Sequence, residues 1–272
     1  MNFYSLGNTI GEGGYSSVRK CFDSYGNRLC AKVLPKVRNK RENVANELNI
    51  MQMLSGSPRV PRLVDAVEDN TNYYIIQELC RGGHLKSGTY SSNTVGKVTH
   101  DILCALRDIH KAGVIHRDIK PGNILFVTAD IESEIKLCDY GLALMCDQND
   151  FVEVDMMRGT PVYMSPENLD MRYTFKSDIW NLGIVVYLMI CGKLPFNAYN
   201  YKDLWIEIKN KNPNMNGGVW ADIDLEAKDF VRACLEKSEQ ERISLEECFR
   251  HPFIQSVLDP VGEPLIGIKF SS

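Results

Sequence analysis

The sequence lacks the features that mark several large classes of protein. Its apolar runs fall short of the roughly 20 residues of a membrane-spanning helix, and its start, MNFYSLGNTI, lacks the basic-then-apolar pattern of a signal peptide. The formal net charge is only −4 over 272 residues, without a basic stripe or a block of like charge. We therefore expect an intracellular protein, in the cytoplasm or the nucleus, whose main partner is neither a membrane nor nucleic acid.

Paired cysteines are also missing. The nine cysteines are odd in number and scattered, with no CxxC spacing and no nearby histidine pair. This pattern favours reduced thiols in a reducing compartment. Disulfides or a zinc site are the alternative.

What the sequence does contain is enough apolar material for one large or two small domains, since 44% of the residues are hydrophobic. Its periodicity changes once. Residues 1–80 consist of short β-branched or aromatic segments separated by glycine-containing turns, with one helical pattern, ENVANELNIMQML. Residues 81–272 carry apolar residues mainly at three- and four-residue spacing, which predicts helices. The pattern predicts an α+β fold with a β-rich lobe at 1–80 and a larger helical lobe at 81–272.

Two segments of the β-rich lobe carry chemical signals that are weak when each is taken alone. GEGGYSSV places Gly11, Gly13 and Gly14 between two strands, where backbone amides can contact phosphate oxygens. A simple hairpin turn is the commoner reason for such glycines, and the strand that follows them argues against a dinucleotide-binding site. Lys32 lies within the apolar strand LCAKVL. Such a lysine usually lies on an edge strand, where its ammonium group reaches solvent. Glu47, on the inward face of the next helix, is a candidate partner that would hold Lys32 extended towards phosphates.

Three segments of the helical lobe are more informative in combination. VIHRDIKPGNIL contains five polar side chains between apolar runs, namely His116, Arg117, Asp118, Lys120 and Asn123. A buried strand or core helix would not tolerate these groups unpaired. IKLCDYGLA places Asp139 after an apolar strand, where an ordinary turn former is the simpler explanation. Together, however, Asp118, Asp139 and Asn123 supply oxygen ligands suited to Mg²⁺, which favours carboxylates plus substrate phosphate. RGTPVYMSPE followed by KSDIW predicts an ordered loop and a helix.

The order and spacing of these segments resemble the eukaryotic protein kinase family from about Tyr4 to Phe253. The matching positions are Gly11, Gly13, Val18, Ala31, Lys32, Glu47, His116, Arg117, Asp118, Lys120, Asn123, Asp139, Gly141, Gly159, Thr160, Pro166, Glu167, Asp178, Gly183 and Arg242. Lys120, two residues after Asp118, and GTPVYMSPE resemble the serine/threonine branch, closest to the calcium/calmodulin-dependent group. The resemblance implies a bilobal kinase-like fold, with a small antiparallel β lobe holding one regulatory helix and a larger, mainly α-helical lobe.

The resemblance also implies an activity and a role for each matching residue. The protein would transfer the γ-phosphoryl of ATP, with Mg²⁺, to Ser or Thr hydroxyls of a protein substrate. Asp118 would orient the hydroxyl and accept its proton, while Lys120 would neutralise charge on the transferring group. Lys32, Glu47 and Thr160 complete the expected catalytic set, and Asn123 and Asp139 would bind the metal. The expected nucleotide contacts are Ile10, Gly11, Gly13, Gly14, Val18, Ala31, Lys32, Gln77, Glu78, Cys80, Leu125 and Cys138.

Other expected contacts follow from the same resemblance. Gln77 would be the gatekeeper, and the backbone of Glu78 and Cys80 would hydrogen-bond adenine. An internal column of side chains would rest on Asp178, and its members would be Met51, Leu63, His116 and Tyr140. Glu167 would form a structural salt bridge with Arg242.

Two departures from the family pattern lead to further expectations. The stretch between Gly141 and Gly159, here called the activation segment, contains no Ser, Thr or Tyr. We therefore expect activity without phosphorylation of this segment, with Glu153 or Asp155 pairing with Arg117 in place of a phosphate. The alternative is that these acids are solvated and Arg117 pairs elsewhere.

The second departure concerns the substrate groove. His84 and Gly122 stand where arginine-preferring kinases carry acids, so we expect no strong selection for arginine two or three residues before the target.

Two other classes of function remain open at this point. One is a pseudokinase-type nucleotide-binding scaffold, which measured phosphoryl transfer would distinguish. The other is a non-kinase nucleotide-binding protein such as a dehydrogenase, which the strand after the glycines opposes. The residues after HPFIQSV contain neither a basic amphipathic helix for calmodulin nor an EF-hand, so any such regulation would lie outside this sequence. The pattern does not indicate an oligomeric state.

Overall fold

One antiparallel sheet forms the frame of the N-terminal lobe. The structure, a computed structural model, describes residues 3–147 and 151–258. The strands are β1 (Tyr4–Glu12), β2 (Ser17–Asp23), β3 (Arg28–Pro35), β4 (Leu63–Glu68) and β5 (Asn72–Glu78), and they lie in the order β1-β2-β3-β5-β4. β3 is central and almost wholly buried, which suits its run of apolar residues.

A single helix, α1 (Arg41–Met53), connects β3 to β4. Its buried residues are Val44, Glu47, Ile50 and Met51, which recur at three- and four-residue spacing. The buried face therefore includes one carboxylate among apolar side chains, and that carboxylate faces the strand that carries Lys32.

The C-terminal lobe is mainly helical, as the sequence pattern predicted. Its helices are α2 (Ser92–Lys111), α3 (Phe175–Cys191), α4 (Tyr201–Asn210), α5 (Leu225–Cys234), α6 (Leu245–Arg250) and α7 (Pro252–Leu258). α3 is buried along most of its length, as expected for a helix that is apolar all round. An added Cβ at Gly183 would lie 2.7 Å from Cβ of Cys234, so this glycine allows α5 to pack closely on α3. In the described part of the chain, no helix combines the length and apolarity needed to span a bilayer.

Short strand pairs position the loops between the lobes. β6 (Gly83–His84), β8 (Ile124–Phe126) and β9 (Ile135–Leu137) form a small sheet. β7 (Val114–Ile115) pairs with β10 (Leu144–Met145), and β11 (Val152–Glu153) pairs with β12 (Arg172–Tyr173). The loop that contains Asp118 thus runs from β7 to β8, and Asp139 lies two residues after the end of β9. The predicted bilobal, α+β kinase-like fold is confirmed.

The expected salt bridge between Glu167 and Arg242 is present. Two guanidinium nitrogens of Arg242 donate to the two carboxylate oxygens of Glu167, at 2.7 and 2.9 Å. Further donors of Arg242 reach the carbonyls of Lys176 and Glu236, and the side chain is fully buried. Burial acts to raise the pKa of Glu167, but the hydrogen bonds and charge of Arg242 outweigh it and hold that pKa below its ordinary value. The pair therefore stabilises the fold at neutral pH and loses this contribution only in acid.

We expect Arg242→Leu to lower the free energy of unfolding by about 3–5 kcal/mol, because Glu167 is then left buried without its partner. Urea unfolding followed by circular dichroism measures this change. Arg250→Leu, at an exposed position on α6, is the matched control and should change stability by less than about 0.5 kcal/mol. Equal effects of the two substitutions would contradict the structural role of the pair.

Candidate active site

Asp118 lies at the centre of a dense hydrogen-bond network in the loop between β7 and β8. Its Oδ1 accepts hydrogen bonds from the backbone nitrogen and the hydroxyl of Thr160, at 3.2 and 2.8 Å. Its Oδ2 accepts from Lys120 Nζ at 2.6 Å and from Asn123 Nδ2 at 3.1 Å. Lys120 also donates to the Thr160 hydroxyl at 2.8 Å. Four residues expected to act together are therefore in direct contact.

The backbone before Asp118 is held by a buried carboxylate from α3. Asp178 accepts hydrogen bonds from the backbone nitrogens of His116 and Arg117, both at 2.9 Å, and contacts His110 Nε2 at 2.8 Å. Arg117 has φ of 72°, a left-handed conformation that is unfavourable for a non-glycine residue. The two hydrogen bonds to Asp178 stabilise this conformation and so fix the direction in which the side chain of the next residue, Asp118, points.

A second cluster joins the two lobes through Lys32. Its Nζ lies 2.6 Å from Glu47 Oε1 on α1 and 2.6 Å from Asp139 Oδ1 after β9. Lys32 and Glu47 are buried, whereas 43% of the Asp139 side chain is exposed to the cleft. The expected lysine–glutamate pair is thus formed, with Asp139 as a third member.

Charge in this cluster is settled by burial and by the two carboxylates. Burial by itself lowers the pKa of the Lys32 ammonium, but Glu47 and Asp139 outweigh burial and raise that pKa above its ordinary value. Burial raises the pKa of Glu47 against the opposing charge of Lys32. For Asp139, burial acts to raise the pKa, but Lys32 prevails and lowers it. Lys32 is therefore protonated and Asp139 ionised at neutral pH.

The glycine segment forms the hairpin between β1 and β2. Gly11 is paired with Val18 across the hairpin, and Gly13 N donates to Ser16 O at 2.8 Å. Gly13 and Gly14 are exposed, and an added Cβ at Gly14 would contact nothing within 4 Å. The hairpin interpretation and the phosphate-binding hypothesis are compatible, because the two exposed glycines at the hairpin tip allow close approach of a ligand to the backbone.

The residues expected to contact the nucleotide lie on the strands around the cleft and in the connector between the lobes. Register pairs Cys30 with Gln77 and Leu29 with Glu78 across β3 and β5. Ala31 is fully buried, Ile10 is 46% exposed, and Val18, Leu125 and Cys138 are half-buried. The side chain of Glu78 is engaged by Lys136 at 2.8 Å and by the backbone nitrogen of Arg62.

Two cysteines at this edge of the cleft are poor nucleophiles. Burial raises the pKa of Cys80 to about 11 and raises that of Cys138 well above its ordinary value. The reactive form of cysteine is the thiolate, so both thiols are mainly protonated at neutral pH. The backbone nitrogen of Cys138 donates to Asn123 O at 3.0 Å and thereby joins the strand before Asp139 to the Asp118 loop.

The donor set fits Mg²⁺ bound together with a phosphate. The described residues contain no group of three His, Cys, Asp or Glu side chains arranged to hold a metal alone. Asp139 and Asn123 provide one exposed carboxylate and one amide. The amide nitrogen of Asn123 donates to the carbonyl and carboxylate of Asp118, which directs the amide oxygen away from that residue. Mg²⁺ typically takes one or two carboxylates plus substrate phosphates, so two protein ligands suit it.

The structure shows one contact of the expected internal column, between His116 and Tyr140. The rings of His116 and Tyr140 lie 5.1 Å apart, and Met51, Leu63 and Tyr140 belong to the same apolar core. His116 Nε2 lies 3.1 Å from Cys138 O, so the column contacts the backbone on which Asp139 stands.

The expected pairing of Arg117 with Glu153 or Asp155 is wrong. Both acids are exposed, and Glu153 lies in β11 opposite Arg172. Arg117 instead donates to Leu142 O at 3.1 Å, and its guanidinium carbon lies 3.9 Å from the ring centroid of Tyr173. The pairing of β11 with β12 places an aromatic ring, not a carboxylate, beside the guanidinium. Asp147 is exposed as well, and Asp150, another candidate anion, lies outside the described residues.

Sequence reasoning missed two residues of this site. His110, which contacts Asp178, is on the same face of α2 as Leu103 and Leu106, so its helical spacing already indicated an inward position. Tyr173 had no such signal, because it lies in a two-residue strand whose pairing depends on the activation segment.

This two-lobed fold, with a lysine–carboxylate cluster above a loop built around Asp118, is of the protein kinase type. The family model described as “Protein kinase domain” matches residues 4–254, and the chain therefore belongs to the protein kinase family. The predicted resemblance is confirmed.

Several relatives are similar over most of this chain. “Serine/threonine-protein kinase PEPKR2” of Arabidopsis thaliana is 35% identical over 92% of this chain and 53% of its own length. “Calcium/calmodulin-dependent serine/threonine-protein kinase 1” of Oryza sativa subsp. japonica is 33% identical over 93% of this chain and 44% of its own length. “Calcium-dependent protein kinase 5” of Plasmodium berghei (strain Anka) is 34% identical over 89% of this chain and 44% of its own length. The chain thus spans about half the length of the curated relatives it matches.

Proposed function

We propose that this chain is an ATP-dependent serine/threonine protein kinase that transfers the γ-phosphoryl of MgATP to hydroxyls of a protein substrate. The observation that carries the proposal is the simultaneous presence of two clusters. Lys32 contacts Glu47 and Asp139, each at 2.6 Å, while Asp118 is bonded to Lys120, Asn123 and Thr160. Membership of the kinase family and relatives named as serine/threonine kinases support it.

The nucleotide would bind between the lobes, against strands of the lobe at 1–80 and against Leu125 and Cys138 of the lobe at 81–272. Lys32, held extended by Glu47, would contact the phosphates. Asp139 and Asn123 would hold Mg²⁺, which when bound neutralises charge on the phosphate oxygens.

Asp118 would orient the substrate hydroxyl and accept its proton, because its carboxylate is held in place by Thr160 and Asn123. Lys120 lies 2.6 Å from that carboxylate with 30% of its side chain exposed, so it would reach the transferring group. Cytoplasmic or nuclear location remains a prediction from the sequence.

Replacing the proposed catalytic groups tests the assignment. Lys32→Met, Asp118→Asn and Asp139→Ala should each lower kcat at least about 100-fold, since each removes charge stabilisation or the proton acceptor. Asp139→Ala should also abolish the Mg²⁺ dependence of fluorescent nucleotide binding. Asp130→Asn, in an exposed loop, is the matched control. Near wild-type transfer by Asp139→Ala would refute the assignment, whereas MgATP binding without any transfer by the wild type would favour a pseudokinase-type scaffold.

Activity should not require phosphorylation of the activation segment. Residues 142–158 contain no Ser, Thr or Tyr, and both described parts of the segment are held by strand pairs, β10 with β7 and β11 with β12. Phosphatase-treated protein, verified by mass spectrometry to carry no phosphate, should retain kcat within about twofold. If that protein is inactive until an upstream kinase is added, independence from phosphorylation is wrong.

The substrate groove lacks acids at the positions expected to select arginine. Gly122 and His84, which stand at those positions, are both exposed. Glu78 is engaged by Lys136, and Asp203 lies at the N-terminus of α4, where it interacts with Asn200. The ion pair with Lys136 makes Glu78 a poor substitute for the missing acids, and a shifted peptide path past the exposed Asp203 is the alternative to this proposal. We infer Ser/Thr phosphorylation without strong arginine preference two or three residues before the target.

Gly122→Glu should create that preference, since an added Cβ meets nothing within 4 Å and a new carboxylate would face the groove. One charged hydrogen bond is worth about 1.5–3 kcal/mol, which corresponds to roughly 10- to 100-fold in kcat/KM for arginine-containing peptides. An arrayed peptide screen measures the change, with the uncharged Gly122→Gln as the control. Dominant arginine selection by the wild type would disprove this interpretation.

A further inference from the structure

The geometry points to Tyr173 as a positioning residue for the Asp118 loop, because its ring supports the guanidinium of Arg117. The activation segment of this kinase carries no phosphorylatable residue. This inference rests on the proposed kinase activity without phosphorylation of that segment. Tyr173 would not touch the substrate or the nucleotide, and it would act only through Arg117.

The surroundings of Arg117 leave the ring as its main electrostatic partner. The residue is 7% exposed, and Nη1 donates to Leu142 O, while Nε and Nη2 have no hydrogen-bond partner among the described residues. A guanidinium stays charged at any relevant pH, so burial without compensation is unfavourable. The face of an aromatic ring attracts such a cation, and the 3.9 Å separation from Tyr173 is well within the range of this attraction.

Tyr173 is itself held from three directions. Its backbone pairs with Val152 of the activation segment, and its hydroxyl donates to the carbonyl of Arg158 at 3.2 Å. Its side chain is 1% exposed and packs in an apolar cluster with Ile115 and Cys146. One ring therefore ties the later part of the activation segment to the loop that carries Arg117, while Arg117 contacts the start of the segment at Leu142.

A displacement of Arg117 would move the groups around Asp118. Asp118 is the next residue, and the left-handed backbone of Arg117 determines its direction. An added Cβ at Gly159 would lie 3.4 Å from the Arg117 carbonyl, which shows how closely the end of the activation segment follows this loop. Thr160, next to Gly159, donates both of its hydrogen bonds to Asp118. Support of Arg117 by the ring thus reaches both Asp118 and Thr160.

Removal of the ring should lower the rate of transfer and leave nucleotide binding intact. We expect Tyr173→Leu in phosphate-free protein to reduce kcat about 10- to 30-fold, equivalent to about 2 kcal/mol at the upper end. KM for MgATP should stay within twofold, because the Lys32 cluster does not involve Tyr173. Tyr173→Phe retains the ring and should keep kcat within about threefold of wild type. Val152→Ala, which trims the same apolar cluster and keeps the ring, is the matched control for general loosening.

Two measurements separate the ring–cation contact from a merely structural effect. In an Arg117→Leu background, Tyr173→Leu should cause less than about threefold further loss, because the ring acts through Arg117. Fluorinated phenylalanines at position 173 keep the shape of Tyr173→Phe but weaken the negative face of the ring, and kcat should fall with each added fluorine. This series remains informative even if Tyr173→Leu fails to fold.

The possible outcomes distinguish this inference from the function on which it rests. Wild-type kcat in Tyr173→Leu, additive losses in the double variant, or no dependence on fluorination would each overturn the role of the ring and leave the kinase assignment intact. Inactive phosphate-free wild type would overturn the proposed phosphorylation-independent activity before any variant is compared.

Discussion

The conformation of the Asp118 loop depends on one buried carboxylate, that of Asp178. It lies in the first turn of α3, where the helix dipole favours negative charge. It accepts two backbone hydrogen bonds from the loop and contacts His110 of α2. A fully buried carboxylate is stable only while its donors are present. Two core helices and the loop therefore assemble as one unit, and the strained backbone of Arg117 persists because this unit holds it.

Asp139 of the C-terminal lobe forms an ion pair with Lys32 of the N-terminal lobe. It is the third member of the Lys32 cluster, and the backbone of its neighbour Cys138 is hydrogen-bonded to Asn123 of the Asp118 loop. The ion pair between Lys32 and Asp139 therefore joins the two lobes at the site, and the hydrogen bond from Cys138 fixes Asp139 to the Asp118 loop within the C-terminal lobe. Because Asp139 keeps 43% of its side chain exposed, it remains accessible to a ligand in the cleft.

In its described residues, the activation segment is held by strand pairing and apolar packing instead of by an ion pair. Two short strand pairs and an apolar cluster hold its described parts, and the buried guanidinium of Arg117 beside it lies on an aromatic ring instead of pairing with an anion. An aromatic ring is a constitutive partner, whereas a phosphate must be added by another enzyme. A sequence without phosphorylatable residues in this segment and a ring beside Arg117 are therefore consistent with each other.

The sequence by itself determined the two-lobed fold, which depends on local periodicity. Its resemblance to the kinase family named the candidate catalytic and metal-binding residues, because these polar residues follow one another in a distinctive order. The Lys32–Glu47 pair was also predictable, since helical spacing put Glu47 on the inward face of α1. The partner of Arg117 was not, and the charged partners expected for it were wrong. That partner depends on which residue of β12 lies beside β11, a non-local register that no local pattern encodes. Only the tertiary structure decided that Tyr173 lies beside Arg117. The position is buried, and burial favours an aromatic ring over an ionised carboxylate.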